Sequence, residues 1–177
     1  EEALAARARE TGLPLLYVNM VGGQDELVFD GGSVAVDATG AVRFRAPQFD
    51  EGLYVVELDV ANGKVSLPKS APTPGPPLVE RVYRALVLGT RDYVEKNGFA
   101  GAVLGLSGGV DSALTLTIAV DALGAARVHA VMMPSRYTSQ MSLDDASAQA
   151  RNLGVRYDTL SIEPMFDATL GVLRDLF

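Results

Sequence analysis

The sequence contains no cysteine. A disulfide framework, a thiolate zinc site and a thiol nucleophile are therefore excluded from its 177 residues. Long apolar runs are missing too, since none reaches the roughly 18 unbroken apolar residues that a membrane span requires. No basic segment followed by an apolar one opens the chain, so nothing points to secretion and the expected compartment is cytoplasmic. Positive charge is scarce. The 22 acids against 15 bases leave a formal charge of −7. That balance argues against non-specific nucleic-acid binding, which neutralises phosphates with Lys and Arg, but not against one local nucleotide site. The only histidine, His129 in "RVHAVMM", lies among apolar residues and reads as a hydrogen-bonded strand residue. By residue type Met132, Met133 and Met165 read as core fillers.

What is present organises the chain into two parts. The apolar fraction of 48% and charged fraction of 21% are those of an ordinary globular protein. The length suits one buried domain or parts of two. Five of the nine prolines fall in "PKSAPTPGPP", residues 68–77. Proline fixes φ and lacks an N–H, so this reads as a stiff extended linker at a domain boundary, with the linker at 62–77. One rigid surface loop inside a single domain is the alternative. Residues 1–61 read as a helix, "EEALAARARET", capped at Gly12, followed by the strands "LPLLYVN", "LVF", "SVAVD", "VRFR" and "LYVVELDV". Such a segment leaves sheet edges and apolar faces uncovered, so the chain is expected to begin inside a larger domain.

Residues 78–177 alternate helix and strand. Val79, Val82, Tyr83, Leu86 and Val94 recur at helical spacing before Asn97-Gly98. Then come the strand "AVLGL", the helix "SALTLTIAVDALG" and the strand "VHAVMM". The helix "SLDDASAQARNLG" opens on a capping box formed by Ser142 and Asp145, and Leu143, Ala146, Ala150 and Leu153 share one face. The strand "VRYDTLSI" and a last helix from Pro164 to Phe177 close the series. This order predicts an α/β fold with a parallel, doubly wound, Rossmann-like sheet and helices on both faces. Three strands fall short of a complete sheet of that kind, so both ends are expected to be truncated.

The stretch "LGLSGGVDSAL", residues 104–114, lies where the first strand of this part hands over to a helix. In an open α/β sheet, ligands bind beyond the carboxyl ends of the strands. A helix N-terminus there offers unpaired N–H groups and partial positive charge. Gly108 and Gly109 let a phosphate approach the main chain, and Ser107 and Ser112 add hydroxyls. Asp111 would repel phosphate unless a Mg²⁺ ion bridges the two. The loop has no Walker lysine and no G-x-G-x-x-G pattern. A capped helix with a glycine turn and a helpful N-terminal acid is the alternative reading.

The string S-G-G-V-D-S resembles the signature of the ATP pyrophosphatase family, which cleaves ATP between the α and β phosphates. The resemblance implies an adenine nucleotide alpha hydrolase-like fold, Ser107, Gly108, Gly109 and Ser112 on the β and γ phosphates, and Asp111 on magnesium. The flanks "VMMPSRYTSQMSLDDASAQARNLG" and "YDTLSIEPMFDA" resemble those of the glutamine-dependent NAD⁺ synthetase family. There the loop after the second strand closes around ATP, and Met133, Pro134, Ser135, Tyr137, Thr138 and Ser139 match it. On the residues alone, Tyr137 to Ser139 also read as a surface turn. The implied ATP-binding set is Gly105, Leu106, Ser107, Gly108, Gly109, Val110, Asp111 and Ser112, with Met133, Ser135, Tyr137 and Ser139.

The stretch "LLYVNMVGGQDELVFDGGSVAVDATG" resembles the later part of a nitrilase-type amidase domain, which in that family precedes the synthetase domain and takes ammonia from glutamine. The resemblance thus implies the end of a nitrilase-like α/β sandwich at 1–61, the linker at 62–77 and the first part of the synthetase domain at 78–177. It implies amidation of nicotinic acid adenine dinucleotide through an adenylylated intermediate, with ATP and Mg²⁺ as cofactors. Partners are small molecules (ATP, the dinucleotide, glutamine or ammonia), with a homo-oligomer expected and neither nucleic acid nor membrane. With no cysteine, no amidase catalytic residue is assigned. Asp25 and Glu26 read as lining a glutamine pocket or ammonia path, or as a turn-stabilising pair. The dinucleotide site is expected beyond Phe177. A GMP synthetase-like enzyme and a nucleotide-binding fragment without turnover are the other readings.

Overall fold

The computed structural model describes residues 1–174. The chain forms two compact units, Glu1–Gly89 and Thr90–Phe177.

In the first unit, α1 (Glu2–Thr11) ends as expected on Gly12, whose φ of 67° is the left-handed cap and whose N–H bonds the carbonyl of Ala8. The strands are β1 (Leu15–Tyr17), β2 (Val21–Gln24), β3 (Leu27–Asp30), β4 (Val34–Val36) and β5 (Val42–Arg45). β4 is the middle strand of an antiparallel β1-β4-β5 sheet. Its Val34 and Val36 pack with Ala8 of α1, and Leu4, Leu15 and Val42 close around them. β2 was not expected, because its Gly22 and Gly23 hide the strand. It pairs with β3 as a hairpin whose turn is Asp25-Glu26, with Asp25 at φ 51°. The turn reading of that acidic pair therefore describes its place in the fold.

The expectation of one long strand in "LYVVELDV" is overturned. Residues 53–58 carry no strand, and Leu53 is 95% exposed. The strands are instead β6 (Asp59–Ala61) and β7 (Lys64–Ser66), joined by Asn62-Gly63. Both turn residues have positive φ, 52° and 72°. Asn-Gly is the sequence that a two-residue hairpin of this twist selects. β7 thus lies inside the stretch expected to be linker, while 67–77 carries neither helix nor strand.

α2 (Leu78–Lys96) spans the division between the units. Leu88 and Val94 are buried, whereas Val79, Val82 and Leu86 of its expected apolar face are exposed. The second unit continues with β8 (Ala102–Gly105), α3 (Val110–Leu123), a 3₁₀ turn (Ala125–Arg127), β9 (Val128–Met132), α4 (Gln140–Leu153), β10 (Arg156–Thr159) and α5 (Glu163–Leu173). The expected helix end at Phe177 lies outside the described residues. The sheet is parallel, in the order β10-β9-β8. Because that order proceeds in one direction, right-handed crossovers put α3 and α4 on the same face. Both helices contact β9, and Leu116, Ala119, Ala146 and Ala150 on the helices are buried, as are Val128, Ala130 and Met132 on the strand. On the other face Val103 is 72% exposed. His129 is hydrogen-bonded as expected, with Nε2 2.7 Å from Oδ2 of Asp158 on β10. The His129 bond, then those from Arg156, hold the Asp158 carboxyl below its usual range.

Candidate functional site

The β8–β9 ladder continues past β8, where the Leu106 N–H donates to Val131 O at 2.9 Å. Leu106 is only 1% exposed, so the chain is anchored up to the residue before the glycine loop. It then turns. Gly108 has φ 80°, and a Cβ there would lie 2.3 Å from the carbonyl oxygen of Ser142 and 2.7 Å from its Cα. Glycine is required twice, once for the backbone angle and once for the close approach of α4. Gly109 needs no such freedom. Its φ is −88°, and it is the N-cap of α3 without a side-chain cap bond.

The two serines close the loop on itself. Ser107 N–H donates to Ser112 Oγ at 3.2 Å, the two hydroxyl oxygens are 3.0 Å apart, and Ser112 Oγ donates to Gly109 O at 3.0 Å. Gly109 N–H donates to Ser107 Oγ at 3.2 Å. The first-turn amides of Val110, Asp111 and Ser112 have no intrahelical acceptor, as at any helix start. They are presented beyond the carboxyl end of β8, with the positive end of the helix dipole. Asp111 is exposed in that same turn.

Beside the loop lies an open pocket of about 250 Å³ beyond the ends of β8 and β9. Gly105, Leu106, Ser107 and Met133 of the expected set line it, together with Thr138, Val131 and Met132. By sequence Val131 reads only as a strand residue and Met132 as a core filler. The missed signal is the register, which sets Val131 opposite Gly105. Met133 is 51% exposed and Met165 is exposed as well, so neither is the core filler its residue type suggested; Met132 is. Gly105 makes room for Met133, whose Cε would sit 3.2 Å from a Cβ at that position.

Ser135, Tyr137 and Ser139 do not line the pocket; they lie on the loop at its border. Thr138 N–H donates to Ser135 O, Ser135 N–H to Thr138 Oγ1, and Tyr137 N–H to Ser135 Oγ, which together make a tight turn. Ser139 is the N-cap of α4, its hydroxyl accepting from Ser142 N–H at 3.2 Å. The capping box expected on Ser142 and Asp145 is therefore replaced by a cap three residues earlier, because Ser139 is the last residue with extended backbone.

The loop is pinned to α5. Arg136 N–H donates to Glu163 Oε2 at 2.7 Å, and its guanidinium pairs with Glu163 and Asp167 while lying 5.3 Å from the Phe166 ring centre. Tyr137 meets the same ring edge-on at 6.0 Å. Glu163, against a smaller opposing effect of burial, and then Asp167 raise the Arg136 pKa above its usual value. Sequence reading missed this clamp, since its partners lie 27 to 31 residues apart.

The donor set can be tested against a metal. Among the described residues no group of three or more His, Cys, Asp or Glu converges on one point. One exposed carboxylate beside helix amides fits a magnesium ion that takes most of its oxygens from phosphates and water.

Comparison with known proteins bears on both units. The carbon-nitrogen hydrolase family model matches residues 1–65 and the NAD synthase family model residues 82–175. The glutamine-dependent NAD(+) synthetase of Rhodobacter capsulatus is 52% identical over 97% of this chain and 31% of its own length. That of Acinetobacter baylyi is 45% identical over 99% of this chain and 32% of its own. The chain therefore spans about a third of the length of these curated relatives. Among solved structures, glutamine-dependent NAD⁺ synthetase from Acinetobacter baumannii in complex with ADP superposes with a TM-score of 0.90 at 46% identity, covering 99% of this chain and 33% of that one. With its glycine loop, parallel sheet and pocket inside the matched region, the chain belongs to the NAD synthase family.

Proposed function

We propose that these residues form the central part of a glutamine-dependent NAD⁺ synthetase, and that the loop Ser107–Ser112 with the pocket beside it holds Mg-ATP. The observation that carries this reading is the S-G-G-V-D-S loop on the first turn of α3, in a chain whose halves match the carbon-nitrogen hydrolase and NAD synthase models in that order. In this reading the amidase part ends with the β6–β7 hairpin, and residues 67–77 link it to the synthetase part. The amidase part supplies ammonia from glutamine; with no cysteine here, the thiolate for that step is not among these residues.

The chemistry that the site serves is adenylyl transfer. A carboxylate oxygen of nicotinic acid adenine dinucleotide bonds to the α-phosphorus of ATP. The bond from that phosphorus to the bridging oxygen breaks, and pyrophosphate leaves with the electron pair. Ammonia then adds to the acyl carbon, AMP departs, and the lost proton leaves an amide. The amides of Val110, Asp111 and Ser112 and the dipole of α3 face the charge that grows on the leaving pyrophosphate. Gly108 and Gly109 keep side chains out of its path, and Ser107 and Ser112 exchange their mutual bond for phosphate oxygens. The apolar floor of Leu106, Val131 and Met133 suits a flat base. A magnesium ion held by Asp111 would offset phosphate charge.

Calorimetric titration of the chain with Mg-ATP tests the reading. Saturable binding is expected, and Asp111→Ala is expected to weaken it by at least about tenfold in magnesium while leaving metal-free binding little changed. Equal affinity with and without the carboxylate removes its assigned role, and no binding at all removes the site.

A further inference from the structure

A second set of contacts joins the glycine loop to the loop after β9, and both run through Ser142. The main chain of Ser142 fills the space that a side chain at Gly108 would occupy, 2.3 Å from that missing Cβ to its carbonyl oxygen. Its hydroxyl lies 2.9 Å from Ser139 Oγ. Ser139 ends the 133–139 loop, directly after Thr138, which lines the pocket. One residue in the first turn of α4 therefore borders the glycine loop with its backbone and the end of the 133–139 loop with its side chain.

We infer that Ser142 is a positioning residue, which sets the spacing between the 107–112 loop and the 133–139 loop. The inference rests on the nucleotide reading above. Its physical content is a selective effect. A ligand that engages both loops depends on their mutual placement, whereas a ligand that engages one loop does not. The bond in question can be removed cleanly. Ser142→Ala deletes the hydroxyl contact but keeps the Ser142 N–H to Ser139 Oγ bond, so the cap of α4 survives. Ser142→Thr restores a hydroxyl.

The test is calorimetric titration of the chain as wild type, S142A and S142T, each with Mg-ATP, magnesium pyrophosphate and adenosine. In S142A, Mg-ATP affinity is expected to fall by about 3- to 10-fold, the range of one lost hydrogen bond. Pyrophosphate and adenosine should stay within about twofold of wild type, and S142T should recover the ATP affinity. Unchanged ATP affinity in S142A, an equal loss for all three probes, or failure of S142T to recover it would overturn the inference. If the wild-type chain does not bind Mg-ATP, the nucleotide reading falls and takes this inference with it, a result separate from any behaviour of S142A.

Discussion

At Gly108 a single missing methyl group decides whether the loop and α4 fit together. Gly108→Ala is expected to destabilise the chain by about 1–3 kcal/mol, from positive φ and from the contact with Ser142, read from urea unfolding. Gly109→Ala, at φ −88° and with only Ser107 Oγ nearby at 3.4 Å, should cost far less. Asp37 is the other residue on which much converges. Its carboxylate accepts from Thr39 N–H, the Thr39 hydroxyl, Ala41 N–H and Arg43 Nε at 2.6–3.0 Å. Burial pushes this carboxyl up, but the bonds from Thr39, Ala41 and Arg43 outweigh it and hold the group well below the usual carboxylate range. A folded pKa below the unfolded one means that the stabilisation is complete above the unfolded value of about 3.9 and fades as pH falls below it. Asp37→Asn should lose about 2 kcal/mol at pH 7 in urea unfolding, with the gap closing towards pH 2. A gap independent of pH would show that charge is not the cause. At this scale the S-G-G-V-D-S loop was legible, because two glycines, an acid and two hydroxyls fit within six positions. The Arg136 clamp was not, because its partners sit on α5, and neither was the approach of the Ser142 main chain to Gly108, which belongs to another element.

Among the elements, those announced by local chemistry were readable. The left-handed caps at Gly12 and Gly154 and the strand–helix alternation after residue 100 are examples. Elements set by tertiary burial were not. "LYVVEL" alternates too little and lies too exposed to pair, while the glycine-bearing β2 pairs because β3 is two residues away. The loop after β9 is the element whose behaviour can be predicted from its anchors. Arg136→Ala removes both carboxylate pairs and the ring contact, so hydrogen exchange at the Thr138 amide, which closes the turn on Ser135 O, should speed up several-fold. Glu163→Gln should do so less, since Asp167 remains. Exchange unchanged in both variants would mean that the turn holds itself.

For the molecule as a whole, the sequence marks an expected boundary by its prolines at 68–77, between a strand-rich part and an alternating one. It did not reveal that the contact boundary falls inside α2, because a continuous helix carries no compositional mark where its neighbours change. Lys69 lies exposed in the 67–77 stretch, which has neither helix nor strand. Brief trypsin treatment is expected to cut first after Lys69, giving two fragments by mass spectrometry. A first cut elsewhere would place the most accessible segment outside the linker.

The paired hydroxyls of Ser107 and Ser112 have one more consequence. A small anion arriving at α3 must compete with bonds that the loop already makes, so it recovers little for what it displaces. On the nucleotide reading proposed above, a chain of two or three linked phosphoryl groups displaces the same bonds once but makes several in return. The same reading makes the loop more selective for linked phosphoryl groups than for a single phosphate.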